Sequence, residues 1–162
     1  MKTVYLGLGA NLGAREQALE TARRLLEREG LRIRRVSSLY ETEPMELASQ
    51  PWFLNQVVEA ETTLFPLQLL SRIHRIEIEM GRKRIVAKGP RTIDIDILFY
   101  GRFTIDSPKL SVPHPRFRER RFVLAPMAEI APDFRDPVSR KSMRELLAAL
   151  SGQTVRKLAV TT

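Results

Sequence analysis

The sequence predicts an α+β sandwich of the ferredoxin-like kind, a mainly antiparallel sheet with helices packed on one face, trailed by an irregular, proline-rich C-terminal part. Apolar residues recur with a period of two or of about 3.6 in the order strand, helix, strand, strand, helix, strand. That order makes two βαβ-type halves in one chain. There is no internal repeat and no linker long enough to divide the chain, so residues 1–162 are expected to form a single domain.

Lys2 to Gly9 alternates, with Val4, Leu6 and Leu8 on one side, as a half-buried strand does. The glycine-punctuated turn "GANLG" leads to a helix over Arg15 to Arg28, with Leu19, Ala22, Leu25 and Leu26 on one stripe and Gly30 as its stop. "LRIRRVSSLYET" and "FLNQVVEAETTL" are two extended stretches joined by the proline-containing loop "EPMELASQPW". Pro66 suits the first turn of a second helix, whose Leu67, Leu70, Ile73, Glu77 and Met80 lie along one side until Gly81 ends it. "TIDIDILFY" is the next strand. After it Pro108, Pro113, Pro115, Pro126, Pro132 and Pro137 break the remainder into short pieces, with a last helix near Ser142 to Leu150.

At 162 residues the chain is large enough to bury roughly 70% of the surface its unfolded form exposes. Without cysteine it has no disulfides, zinc thiolates or cysteine nucleophile, and a reducing cytoplasm is its expected compartment. The opening "MKTVYLGLGANLG" is too short and too punctuated for a signal peptide or membrane span, so a soluble protein is expected. A net charge of +8 and a pI near 10.4 draw nucleic acid, acidic membrane or a phosphorylated small molecule. Two basic runs concentrate that charge, Arg82, Lys83, Arg84, Lys88 and Arg91 in one and "RFRERR", Arg116 to Arg121, in the other. Alone, such runs read first as solvated faces.

Alternation along "RTIDIDILFYG" puts Ile93, Ile95, Ile97 and Phe99 on one face and Asp94, Asp96, Leu98 and Tyr100 on the other. The second face begins charged and turns apolar, which places both carboxylates at the rim of a buried surface. Their Cα atoms lie roughly 6.6 Å apart on the strand rise, and two anions at that distance repel by roughly 2.5 kcal/mol at an effective dielectric of 20. A cation beside them relieves that repulsion. With no histidine or cysteine close by they are hard oxygen donors, suited to Mg²⁺ that keeps waters and substrate phosphates; the bland alternative is a polar strand face. Upstream, "GRKRIVAKGPR" lacks a periodic apolar face and reads as a loop that closes cations over an anion. Arginines beside a Mg²⁺-binding carboxylate pair describe a phosphoryl-transfer site. No GxxxxGK[ST] or GxGxxG follows a strand, so the nucleotide is held another way.

"GLGANLG", "SSLYETEP", "FLNQVV", "RIEIEMGR", "GPRTIDIDIL", "VPHP" and "RRFVLAPMAEIAP" together resemble the 6-hydroxymethyl-7,8-dihydropterin pyrophosphokinases over essentially the whole chain. Those folate-pathway enzymes move a diphosphate from ATP to a pterin alcohol. The resemblance implies that Asp94 and Asp96 hold two Mg²⁺ ions bridging the ATP phosphates and position the hydroxymethyl oxygen for in-line attack on the β-phosphorus, with AMP leaving. It implies that Arg82, Arg84 and Arg91 place cations on the triphosphate, with Arg82 and Arg91 taking part in catalysis. His114 resembles the phosphate-contacting histidine and Arg120 the arginine that follows it. His74, Glu77, Ile97, Lys109 and Ser111 fall where the family lines its ATP site. Thr42, Pro44, Met45, Phe53, Asn55 and Phe122, with Asp94, resemble the pterin pocket, where aromatics flank a flat ring and an asparagine meets its amide-like edge. The family's partners are small molecules, so no nucleic acid or membrane partner is expected, and a monomer is.

The loop departs from the family pattern. The arginine and tryptophan common just before the glycine of GPR are here Ala87 and Lys88, the loop is one residue shorter, and Pro115 stands where a tyrosine is frequent. Altered binding or closing rates are expected, with the reaction kept. The alcohol beside Mg²⁺ and a loose transition state call for no general base. A basic RNA-binding module on the same fold is the competing reading, and it requires an aromatic sheet motif that no stretch here matches.

Overall fold

The computed structural model describes residues 1–43, 51–81 and 92–158. Its elements are β1 (Lys2–Ala10), α1 (Arg15–Arg28), β2 (Arg32–Val36), β3 (Tyr40–Thr42), β4 (Phe53–Thr62), α2 (Pro66–Glu79), β5 (Asp94–Tyr100), β6 (Ile105–Asp106), β7 (Ser111–Val112), α3 (Arg121–Ile130), α4 (Met143–Ala149) and β8 (Val155–Lys157), with a 3-10 turn at Phe117–Glu119. The main sheet runs β5-β1-β4-β3-β8, with β2 also on β4, and β6 and β7 pair separately; all of these pairings are antiparallel. This is the expected ferredoxin-like α+β arrangement, with β1 central between β4 and β5. No helix among the described residues is long and apolar enough to cross a membrane.

The stretch "LRIRRVSSLYET" is two strands, because Ser37 interrupts it. The Ser37 N–H donates to the Val57 carbonyl (2.9 Å), its hydroxyl accepts from the Val57 N–H (3.0 Å), and its carbonyl accepts from the Gln56 side-chain amide (2.8 Å). With those bonds made, β2 pairs with residues 58–61 of β4 and β3 with residues 53–55.

On one face of the sheet Leu6, Leu8, Val58, Ile95 and Ile97 are buried with Leu19, Ala22 and Leu26 of α1 and Leu69, Ile73 and Ile76 of α2. Each such Leu or Ile side chain contributes roughly 1.5–3 kcal/mol by leaving water. Leu67 departs from the expected α2 stripe and is 52% exposed. It lies about 200° around the helix from Leu69, at 100° per residue, so it cannot share the buried side.

The other face is covered too, which corrects the expectation of helices on one side. Tyr5, Val57, Leu98 and Phe99 are buried with Phe117, Val123, Leu124, Met127 and Met143. The C-terminal part is therefore built structure and not an irregular run. Pro126 sits inside α3 and deprives the Phe122 carbonyl of its helical N–H, yet the buried Val123, Leu124, Met127 and Ile130 hold the helix against the sheet. Glu129 docks α3 on β3, accepting from the Ser38 N–H (3.1 Å), the Ser38 hydroxyl (2.8 Å) and the Tyr40 hydroxyl (2.7 Å).

β5 departs from strict alternation. Leu6 pairs with Ile97 but Tyr5 pairs with Phe99, leaving Leu98 as the extra residue of a bulge. Phe99 therefore joins the carboxylate side, and Tyr100 joins the α1/α2 core, the reverse of the predicted sides.

Asp136 organises the loop before α4. It is fully buried and accepts from Arg118 (2.6 Å), the Ser139 hydroxyl (2.7 Å) and the Val138 N–H (3.0 Å). Burial alone would raise its carboxyl, but these hydrogen bonds and the Arg118 charge outweigh it and hold the group below its usual 3.8. A depressed carboxyl contributes stability that is present above the unfolded value and is lost as pH falls through the folded one. Asp136→Asn should cost about 2 kcal/mol or more at neutral pH. In urea titrations its gap from wild type should narrow once pH drops below 3.8; a gap that stays constant with pH would show that the charge is not what holds the loop.

Candidate active site

The register of three strands builds one end of the site. Gly9 of β1 lies opposite Asn55 of β4 and opposite Asp94 of β5, so Asn55, Gly9 and Asp94 form one row across the sheet. Val57, Gly7 and Asp96 form the next. Directly paired residues share a face, so both carboxylates, both glycines and Asn55 point the same way. With glycine in the central strand, Asn55 and Asp94 face one another across two strand spacings, roughly 10 Å, over a floor that carries no side chain.

Asn55 is nearly buried, and its Nδ2 donates to the Thr42 hydroxyl at 2.7 Å. Its Oδ1 lies over Gly9, where a Cβ at that position would stand only 2.8 Å away. Phe53 pairs with Thr42 on the same face and is half-buried. Phe122, near the start of α3, is half-buried against the second core, with the Arg120 guanidinium 5.4 Å from its ring centre. Thr42, Phe53 and Asn55 thus share the face of Asp94, as the resemblance implies.

A cleft of about 310 Å³ runs along the edge of β5 between α2 and the segment around β6 and β7. His74, Glu77, Asp94, Asp96, Ile97, Lys109, Ser111 and His114 all line it. The site residues expected from α2, β5 and the 109–114 segment therefore converge. Glu77 is buried and its Oε2 accepts the Ile95 N–H at 2.9 Å, tying α2 to the strand that carries the carboxylates. Ile97, whose side chain is in the α1/α2 core, lines the cleft along the strand edge.

His114 is held on β5 by its own N–H, which donates to the Leu98 carbonyl at 3.0 Å. Its Nδ1 accepts the Arg116 N–H at 3.3 Å, which leaves Nε2 as the protonated nitrogen of a neutral ring. Burial foremost, then the Arg120 charge and more weakly that of Arg116, together lower the imidazole from 6.5 to about 4, with Asp94 opposing. At neutral pH His114 is therefore an uncharged donor.

The "RFRERR" run divides its labour. Arg118 is bound to Asp136, Arg121 donates to the Leu150 carbonyl at 2.7 Å, and Arg116 faces Glu119 at 3.6 Å. Arg120 is the member whose charge acts on His114 most strongly. Arg82, Arg84 and Arg91, like Pro44, Met45, Ala87 and Lys88, lie outside the described residues. Gly7 and Gly9 are site residues that motif reading passed over. Their signal is glycine at alternate positions of a strand, which strips one face of side chains.

A family model described as 7,8-dihydro-6-hydroxymethylpterin-pyrophosphokinase (HPPK) matches residues 5–132. The chain is 42% identical over 159 residues to 2-amino-4-hydroxy-6-hydroxymethyldihydropteridine pyrophosphokinase of Pseudomonas aeruginosa, covering 98% of each. It is 49% identical over 127 residues to the Bacillus subtilis protein of the same name, covering 78% of this chain and 76% of that one. Against the folic acid synthesis protein fol1 of Schizosaccharomyces pombe it is 42% identical over 156 residues, 96% of this chain, and it spans 21% of that relative's length. The crystal structure of Plasmodium falciparum HPPK-DHPS superposes with a TM-score of 0.72 at 21% identity, covering 91% of this chain and 43% of that one, a likeness of fold. With the family's pattern running through most of its length, the chain belongs to the 7,8-dihydro-6-hydroxymethylpterin-pyrophosphokinase family.

Proposed function

We propose that this chain transfers a diphosphate from ATP to the hydroxymethyl group of 6-hydroxymethyl-7,8-dihydropterin, giving AMP and the pterin diphosphate, a step of tetrahydrofolate synthesis. The observation that carries it is the row Asn55–Gly9–Asp94, which sets a ring-reading amide and a carboxylate on one glycine floor at the end of a cleft holding Lys109, Ser111 and His114. The activity for which the family is named and the near full-length Pseudomonas relative support the same reading.

In this mechanism the ring lies between Asn55 with Thr42 on one side and Asp94 on the other, flanked by Phe53 and Phe122, and with Pro44 and Met45 completing its wall. That places the hydroxymethyl oxygen at the Asp94 end of the row, toward the cleft. The triphosphate lies along the cleft. Lys109 and Arg120 supply positive charge there, Ser111 a hydroxyl, and neutral His114 an Nε2–H donor that keeps its proton throughout. His74, Glu77 and Ile97 wall the nucleotide end, and Arg82, Arg84 and Arg91 bring further cations to the phosphates. Asp94 and Asp96, hard oxygen donors on one face, would hold Mg²⁺, two ions in our reading, which when bound neutralises phosphate charge and acidifies the incoming alcohol. The hydroxymethyl oxygen then attacks the β-phosphorus in line with the departing AMP oxygen. Holding both groups in that geometry supplies most of the acceleration, since a loose transition state asks little of a base. A monomer is our working unit, and the cysteine-free composition supports a reducing cytoplasm.

An RNA-binding module of this fold type would stack bases on the sheet face opposite α1 and α2. Here Tyr5, Val57, Leu98 and Phe99 on that face lie beneath the C-terminal helices, so no observation favours that reading.

Asp96→Ala should keep the wild-type melting temperature while Mg²⁺- and pterin-dependent AMP formation falls by at least about a hundredfold. Turnover at the wild-type rate would sink the mechanism. In the free protein the His114 imidazole, assigned by loss of its signal in His114→Gln, should titrate near 4 by NMR; a midpoint near 6.5 would make it a cation-capable phosphate ligand instead.

A further inference from the structure

Glycine in the middle of a strand weakens it, and in β1 two stand at alternate positions, so something other than sheet formation calls for them. Neither Gly7 nor Gly9 has the left-handed φ that reserves a position for glycine, so an alanine could adopt either backbone conformation. Space separates them. A Cβ on Gly7 would meet the Leu98 side chain at 3.4 Å, close to ordinary contact, whereas a Cβ on Gly9 would meet Asn55 Oδ1 at 2.8 Å. The atom in the way is the far end of a side chain. The strand can accept the substitution, and the Asn55 amide is what has to give way.

We infer that Gly9 is the positioning residue for Asn55: by carrying no side chain it lets the Asn55 amide lie down over β1, with Nδ2 on the Thr42 hydroxyl and Oδ1 at the floor of the site. Asn55 thus has two constraints, a hydrogen bond that its Nδ2 donates to Thr42 of β3 and an absence of side-chain atoms at position 9 of β1. With a methyl group at position 9 the Asn55 amide must shift off its place over β1, which strains its bond to the Thr42 hydroxyl. The consequence falls on whatever ring is read by Asn55 and not on the nucleotide, whose cleft residues come from α2, β5 and the 107–115 segment. Gly9 therefore determines acceptance of the ring substrate, an inference that rests on the functional reading above.

The test is a double-mutant cycle on the full chain with Gly9→Ala, Asn55→Ala and both, read by calorimetric titration of 6-hydroxymethylpterin in the presence of Mg²⁺ and a non-hydrolysable ATP analogue. Gly9→Ala should weaken pterin binding by about tenfold or more, the scale of one misplaced buried polar group, while the affinity for the ATP analogue stays within about twofold. In the Asn55→Ala background the same change should have little further effect, because the contact is already gone. Pterin binding by Gly9→Ala at wild-type strength, or an equal loss in both backgrounds, overturns the inference. If Gly9→Ala alone does not fold, the double variant decides: melting near Asn55→Ala supports a clash confined to Asn55, and failure to fold overturns it. Wild-type protein that binds the ATP analogue but no pterin would refute the functional reading itself.

Discussion

The site depends on the register in which β1 runs antiparallel between β4 and β5. That register sets Gly9 against both Asn55 and Asp94, and Gly7 against Asp96. A slip of one residue on either side would turn Leu8 or Ala10 onto the floor and bury the carboxylates or the amide. Two apolar layers hold it in place, Leu6 and Leu8 on one face and Tyr5 on the other, so the floor is as rigid as the core it belongs to.

Around that row, charge is distributed by function. The chain carries a net +8, yet many arginines are spent on carbonyls and carboxylates: Arg118 on Asp136, Arg121 on the end of α4, Arg35 on the Ile130 carbonyl at 2.7 Å and Arg28 on Glu79 at 2.8 Å. Exposed pairs such as Arg28–Glu79 contribute little to stability, so their number is no measure of it. By contrast, Arg120 lies close enough to help keep His114 neutral, and Lys109 lines the cleft with residues of α2. A neutral imidazole offers one hydrogen bond through Nε2 without adding positive charge beside Asp94.

The second helical layer gives the C-terminal residues their role. Glu129 gathers Ser38 and Tyr40, and Phe122 lies two turns earlier on the same helix, so the stretches "SSLYET" and "RRFVLAPMAEIAP" meet at one joint. Tyr40 is itself the residue paired with Asn55, which links the joint to the edge of the ring site.

Local periodicity was enough to determine β1, the bounds of α1, the start of α2 at Pro66 and the shared face of Asp94 and Asp96, because each follows from side-chain geometry within one segment. The motif spelling carried the family and, through it, the residues that line the cleft. Only the tertiary structure decided what depends on a partner far along the chain. The bulge at Leu98 reverses Phe99 and Tyr100 because β1 fixes the pairing on both sides of it. Proline spacing hid α3, whose helical state comes from burial against the sheet and not from propensity. The α2 stripe excluded Leu67 because packing chose between two rotations that the period of 3.6 allows equally. Gly9 belongs to the same class: within its own segment it reads as a turn signal, and it becomes a site residue only when Asn55 and Asp94 close on it from either side.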